Sequence, residues 1–358
     1  NNTMPIVVNT NTSATAASSN LSRANEALRK SLGRLSSGKR ITSPADDAGG
    51  LAVAYKLASK SKRTTGVMQN VQNSLSYLQV QDSSLQTVGK ILDRIAELRT
   101  MAQDVTKNTG DIENYSKEFV ELQGQLQQIK NETFNGISLF GSGTVTQANV
   151  SNDPTLNGQA SDLVASVNGT AIGTFDRLGR TLYTHPTGQT NDGSISLNVI
   201  NLEYVLEVGT LDSRYDSTWD SANDGTVAGA VNLGNIQGTT DNIDGTTVTA
   251  ANAAARGLNS DGFISSILGV SVGQLTAAIE RLADVRAENG AEQNRAMEVM
   301  DMLRSSLTNL EAAHGRIMDA DIALESTRFA RYNVLVQAGA AMTAQANQLT
   351  NVALALLG

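Results

Sequence analysis

The sequence predicts a mainly α protein, a rod-like bundle of long helices built from both chain ends with a β-rich central insert domain. Three observations carry that reading. Apolar residues recur with a seven-residue period over long stretches of both flanks. Charge and composition change at about residue 143 and again at about residue 260. Only 4% of the 358 residues are aromatic, so the core has to be thin and aliphatic. The segments that follow are an N-terminal arm and linker (1–45), the front part of a helical bundle (46–142), an outer domain (143–260), the rear part of the bundle (261–318) and a C-terminal arm (319–358).

In the front arm Ala14, Leu21, Leu28 and Leu35 fall seven apart. The arm ends in "SSGKRITSPADDAGG", residues 36–50, where Ser36, Ser37 and Gly38 close one helix. The same stretch opens the next: Ser43 is placed to cap it, Pro44 suits its first position, and Asp46 and Asp47 put negative charge in its first turn. With no further ligands nearby, the two aspartates read as cap residues rather than a metal site. Gly49 and Gly50 weaken that turn by about 1 kcal/mol each relative to alanine, which suggests that another backbone passes close.

The bundle starts there. Val71, Leu78, Leu85 and Leu92 form one heptad series, Val88, Ile95 and Ala102 a second, and Ile91, Leu98 and Val105 a third. A helix over residues 46–107 would be roughly 90 Å long at about 1.5 Å per residue. After the turn at "KNTGD", Phe119, Leu122, Leu126 and Ile129 mark another helix. In the rear flank Met300, Leu303, Leu307, Leu310, His314 and Ile317 keep a/d spacing, and "HGRIMDAD" breaks it, with Gly315 before the break and Asp319 and Asp321 opening the last helix. The C-terminal arm repeats Leu335, Met342, Leu349 and Leu356, with Ala338, Gln345 and Val352 alongside. Residues 5–35 and 321–356 are similar in length and suited to pair antiparallel. Their seams are rich in Ala, Asn, Gln, Ser and Thr, so a lone pair buries too little to offset its ordering entropy. The arms are therefore expected to be loose in a monomer and to order only against copies of the same chain.

Residues 143–260 hold four Arg, no Lys and twelve acidic residues, so the whole net charge of −8 sits in this segment and the flanks are neutral. "GSISLNVINLEYVLEVGT" offers partial alternation, and "NDG", "IDG" and "LNG" supply turns, hence the β-rich expectation. The acidic balance argues against nucleic acid as a partner. No run of about 20 apolar residues is present for membrane insertion, and "NNTMPIVVNTNTSAT" lacks the basic and apolar regions of a secretory signal. Without cysteine there are no disulfides or thiolate sites, and assembly is another route to stability. The only histidines are His185, in the turn "YTHPTG", and His314, at a core-type helical position, so the paired histidines of a helical zinc peptidase are missing and no enzyme is expected.

"MPIVVNTNTSA", "LRKSLGRLSSGKRITSPADDAGGLAVA", "NETFNGISLF", "NLEAAHGRIMDADIALEST" and "AGAAMTAQANQL" resemble bacterial flagellin, in that family's order and over roughly two thirds of the chain. Asn1, Asn2 and Thr3 precede the family's usual start at Met4, and Thr350 stands where many members carry proline. The resemblance implies a structural subunit that self-assembles into the helical flagellar filament, its terminal helices lining the inner tube through Leu21, Leu28, Leu35, Leu335, Met342, Leu349 and Leu356. It implies an extracellular filament exported by the flagellar type III apparatus without a cleaved signal peptide. Implied partners are further copies of the chain, an export chaperone, the filament cap and the hook-associated junction proteins. A junction protein shares similar ends, but "QANQL" followed by "ALALLG" is closer to the filament subunit.

No cofactor is expected. By the same resemblance O-linked glycans on Ser or Thr of the outer domain are more plausible than N-linked ones at the sequons of Asn149 and Asn168. In similar flagellins a helix face is read by a host toll-like receptor, and its arginine, glutamate and leucine match Arg94, Glu97 and Leu98 in "ILDRIAELRTMAQ". Spacings of three and four put them on one side of a helix. Leu98 shares a heptad position with Ile91, which gives it a packing role as well, and Ala96 stands where recognised members often carry a second basic residue. An adhesin or receptor-ligand role would add to assembly rather than replace it.

Overall fold

The computed structural model describes residues 11–141, 156–167, 170–209, 232–234, 259 and 262–357. Its elements are α1 (Thr12–Ser37), α2 (Ala48–Ala102), α3 (Thr109–Lys130), the short strands β1 (Thr133–Phe134), β2 (Ile137–Ser138) and β3 (Phe140–Gly141), the longer β4 (Leu156–Val167), β5 (Thr170–Tyr183) and β6 (Ser194–Asn201), a short α4 (Leu202–Leu206), α5 (Val272–Met318) and α6 (Ile322–Leu357). Among the described residues the chain is mainly α, with the strands between Thr133 and Asn201. It divides into two compact units, residues 1–65 with 305–358 and residues 66–304. The sequons at Asn149 and Asn168 lie outside the described residues.

In the larger unit the heptads of α2 do what their period requires. Val71, Leu78, Leu85, Leu92, Val88, Ile95, Ile91, Leu98 and Ala102 are all buried, together with Phe119 and Leu126 of α3 and Leu275, Ala278, Leu282, Val285, Ala296, Met300 and Leu303 of α5. Val105 breaks the third series. It is 98% exposed, because α2 ends at Ala102 and residues 103–107 turn before Asn108 caps α3. That cap is a complete box: the Asn108 side chain accepts from Asp111 N–H at 2.9 Å, and Asp111 accepts from Asn108 N–H at 3.2 Å.

Buried loop backbone is satisfied by amide side chains. Gln81 donates to the Leu139 carbonyl at 2.8 Å and accepts from Asn289 at 2.7 Å. Gln123 brackets Ile264, donating to its carbonyl at 2.9 Å and accepting its N–H at 3.0 Å. "NETFNGISLF" folds as a hairpin, β1 against β2, around Asn135 and Gly136, both at positive φ as a two-residue Asn-Gly turn demands. The second sheet has the order β3-β6-β5-β4, antiparallel except for the parallel pair of β3 and β6. "GSISLNVINLEYVLEVGT" is not all strand: β6 stops at Asn201, whose side chain accepts from Glu203 N–H at 3.1 Å and opens α4.

In the smaller unit the start of α2 corrects the expected cap. Ser43, Pro44, Ala45 and Asp46 form a turn, with Asp46 N–H donating to the Ser43 carbonyl at 3.0 Å, and the helix begins at Ala48 with Asp47 as its cap. Asp47 accepts from Gly50 N–H at 2.7 Å. A Cβ on Gly50 would collide with that same carboxylate, so the glycine makes room for the cap side chain and not for a second backbone. Gly38 stops α1 in the left-handed conformation, at φ 67°.

Candidate functional site

The terminal arms pair antiparallel. Asn11 donates its side-chain amide to the Ala346 carbonyl at 2.8 Å, Leu21 lies against Gly339, and the Ser31 hydroxyl donates to the Glu325 carbonyl at 3.3 Å. On α1 Ala14, Leu21, Leu28 and Leu35 are half-buried, alongside Ala17 and Ala24 and the buried Ser31. On α6 the contact stripe is not the expected one. The residues turned to α1 are Glu325, Phe329, Tyr332, Val336, Gly339, Thr343 and Ala346, spaced alternately by four and three.

Leu335 and Met342, expected in the seam, stand on its rim, 44% and 64% exposed. The side chains of Leu349 and Leu356 lie outside the described residues. Glu325, Phe329, Tyr332 and Val336 fill the first half of the α6 seam, and Gly339, Thr343 and Ala346 make its second half small, which lets the two backbones approach there. A Cβ at Gly339 would meet Leu21 Cδ1 at 3.3 Å and Leu21 Cα at 3.6 Å. The displaced large side chains flank an open groove of about 670 Å³, lined by Ala16, Ala17, Asn20 and Ala24 of α1 and by Tyr332, Leu335, Ala338 and Met342 of α6. Leu32, Val334, Ile322 and Leu324 are also exposed, so the pair leaves much of its apolar surface in water.

The two breaks in the helices lie against each other. Lys39 and Asp319 form an antiparallel bridge, flanked by Arg40 N–H to the Met318 carbonyl at 2.6 Å and Ala320 N–H to the Gly38 carbonyl at 2.9 Å. The Arg40 guanidinium forks onto the Ile317 carbonyl at 3.0 and 2.8 Å, and Ile41 is buried with Ala54 and Met318 beneath. Asp46 accepts from Thr42 N–H and hydroxyl, at 3.1 and 3.0 Å, and pairs with Lys30 at 2.5 Å. Lys30 first, then these donors, hold its carboxyl well below the usual carboxylate range. Asp321 caps α6, accepting from Ala323 and Leu324 N–H at 3.0 and 3.1 Å.

Of the three residues matched to a receptor-read face, two are accessible. Arg94 pairs with Glu97 and with Glu118 of α3, each at 2.7 Å, and both Arg94 and Glu97 are exposed enough to be met. Leu98 is fully buried and packs in the bundle core.

A polar stripe that sequence reading missed runs along α5. Gln274, Arg281 and Glu288, seven apart, each hold backbone or side chains of the insert's base. Gln274 donates to the Val208 carbonyl at 2.7 Å, and Glu288 accepts from the Asn198 side chain at 2.9 Å. Arg281 donates to the carbonyls of Ser166 at 3.1 Å, Val205 at 3.3 Å and Glu207, and lies 5.9 Å from the centre of the Tyr204 ring. Beside it the carboxyl of Glu207 is buried, and its described acceptor contact is Gly209 N–H at 3.0 Å. Burial raises its pKa to about 8, against the opposing pull of that N–H and of Arg281. Polar heptads of this kind were legible as a period but are invisible to a search for apolar stripes.

Among the described residues no group of three or more His, Cys, Asp or Glu could hold a metal ion, and no helix is long and apolar enough to cross a membrane. Family models match at both ends: the bacterial flagellin N-terminal helical region over residues 8–146 and the C-terminal helical region over residues 272–357. Flagellin A of Vibrio anguillarum is 29% identical, with 99% of this chain and 100% of that protein aligned. The flagellar filament 33 kDa core protein of Treponema phagedenis is 27% identical over 98% of this chain and its own full length. A crystal structure of Bacillus cereus flagellin aligns with 69% of this chain and 94% of its own at 19% identity, with a TM-score of 0.35.

Proposed function

The chain belongs to the bacterial flagellins, structural subunits of the flagellar filament, and on that premise we propose that it self-assembles through its terminal arms. The observation that carries the proposal is the α1/α6 pair. It leaves Leu32, Val334, Leu335 and Met342 exposed, the last two as a stripe beside a groove. A two-helix pair this thin buries little, whereas copies packed side by side would remove those side chains from water at about 25 cal/mol per Å². Helix-to-helix packing of a coiled-coil kind, with 4-3 spacing already used within the chain, is the geometry such a stripe supports.

The subunit would act outside the cell, delivered by the flagellar export apparatus and met by a chaperone, a cap and junction proteins. The acidic insert would face outward, where net charge of one sign keeps neighbouring filaments apart. A receptor reading α2 would meet Arg94 and Glu97 and not Leu98, whose side chain is covered.

The test is deletion of either arm, residues 5–35 or 321–356. Each shortened chain should remain a folded monomer with an intact larger unit, judged by circular dichroism and cooperative unfolding, and should form no filaments under conditions that polymerise the full chain. Filaments of normal length from either one would refute assembly through the arms. Monomer should also lose its arms to limited proteolysis faster than filament does.

A further inference from the structure

We propose that Met342 is an oxidation site through which peroxide or hypochlorous acid blocks subunit addition. The inference rests on the arm surface being the assembly surface. The chain has no cysteine, so its eight methionines are the sulfur atoms open to a two-electron oxidant. Met342 is the only sulfur in either arm helix. Its side chain is 64% exposed, on the rim of the groove beside Leu335 and Ala338. Met300 and Met318 are buried, and Met297 and Met302 are exposed on α5, away from the arm helices in sequence.

The step balances simply. The thioether sulfur attacks the terminal oxygen of the peroxide, the O–O bond breaks, one oxygen atom stays on sulfur and the other leaves as water. Sulfur is oxidised by two electrons and the peroxide reduced by two; hypochlorous acid gives the same sulfoxide in net terms, with chloride and a proton released. The product exchanges a flexible apolar side chain for a polar, chiral sulfoxide. In the free monomer this costs little, because Met342 faces water. When a neighbouring copy covers the rim, the S–O dipole has to give up water beside a groove whose lining is five alanines and Leu335, with Ser13, Asn20, Arg23 and Tyr332 among them. Leucine seven residues earlier, at Leu335, fills the same rim and is inert to oxidants.

Monomer treated with dilute hydrogen peroxide, with oxygen addition at residue 342 verified by peptide mass, is seeded and its critical concentration read by sedimentation. Oxidised wild type should show a rise of about tenfold or more, the loss expected when burial of one apolar side chain is forfeited. Methionine sulfoxide reductase should restore it, and the critical concentration of Met342→Leu, whatever its starting value, should not move on peroxide treatment. Unchanged polymerisation of verified sulfoxide would overturn the proposal, as would equal inhibition of oxidised Met342→Leu, which would move the sensitive sulfur to another methionine such as Met297 or Met302. Met342→Gln separates this from the parent reading. If Met342→Gln assembles like wild type, this rim is not an assembly surface; if it is impaired while the sulfoxide protein is not, only the oxidation proposal falls.

Discussion

Replacing Glu207 with glutamine should stabilise the folded monomer at neutral and alkaline pH and change nothing in acid. The Glu207 carboxyl is buried at the base of the insert and its pKa is raised from 4.5 to about 8, chiefly by desolvation. A carboxyl whose folded pKa is raised holds its proton in the native state while the unfolded chain has already lost it. Its favourable contribution is therefore complete below about pH 4.5 and is lost as pH rises towards 8. At pH 7 the unfolded side chain gains about 3 kcal/mol from ionisation, at about 1.4 kcal/mol per unit, that the native state forgoes. Glutamine cannot ionise in either state, and its carbonyl can still accept from Gly209 N–H. The difference in unfolding free energy between Glu207→Gln and wild type should thus be near zero at about pH 4 and grow to about 3 kcal/mol by pH 7. Urea unfolding of both monomers across that range measures it directly, and the difference cancels every other titrating group. A flat difference, or one that shrinks with rising pH, would refute the burial argument.

Three further perturbations follow from particular contacts. Leu98→Ala should cost about 2–5 kcal/mol by denaturant unfolding while Val105→Ala costs almost nothing, although both hold one heptad position, since Leu98 is in the core and α2 has ended before Val105. Asp47→Ala should cost about 1 kcal/mol and expose the first turn of α2 to hydrogen exchange, whereas Ser43→Ala, outside the helix, should not. Gly339→Leu should force α1 off α6, because the added side chain meets Leu21 backbone as well as side chain, and sedimentation should then find no filament from a chain whose larger unit still unfolds cooperatively.

The bundle was readable because α2 is buried on a continuous stripe: with period and burial coinciding from Val71 to Ala102, counting sevens finds the core. The cap was misread for a local reason. "SPADD" contains two good helix starts four residues apart, and propensity ranks Ser43 and Asp47 alike. What chose Asp47 was tertiary: Asp46 is engaged by Lys30 and by Thr42, which holds residues 42–46 in a turn and delays the helix. Residues 143–260 were the least legible, since short alternating runs between turn signals leave strand ends open, as the passage from β6 into α4 shows.

The arm surface was half legible, and the missing half is instructive about assembly. On α6 apolar and small residues surround the helix, so two seams of the same period compete, and size decides between them only if the partner is known. Favouring the larger side chains selected Leu335 and Met342, the residues that the chain itself leaves exposed. The small stripe through Gly339, Thr343 and Ala346 serves α1 instead, where close backbone approach matters more than bulk. A helix with one seam would be satisfied by its own chain. One carrying a second apolar stripe at the same period, through Leu335 and Met342, leaves that stripe exposed within its own chain, and the assembly proposed above would cover it with a helix of another copy.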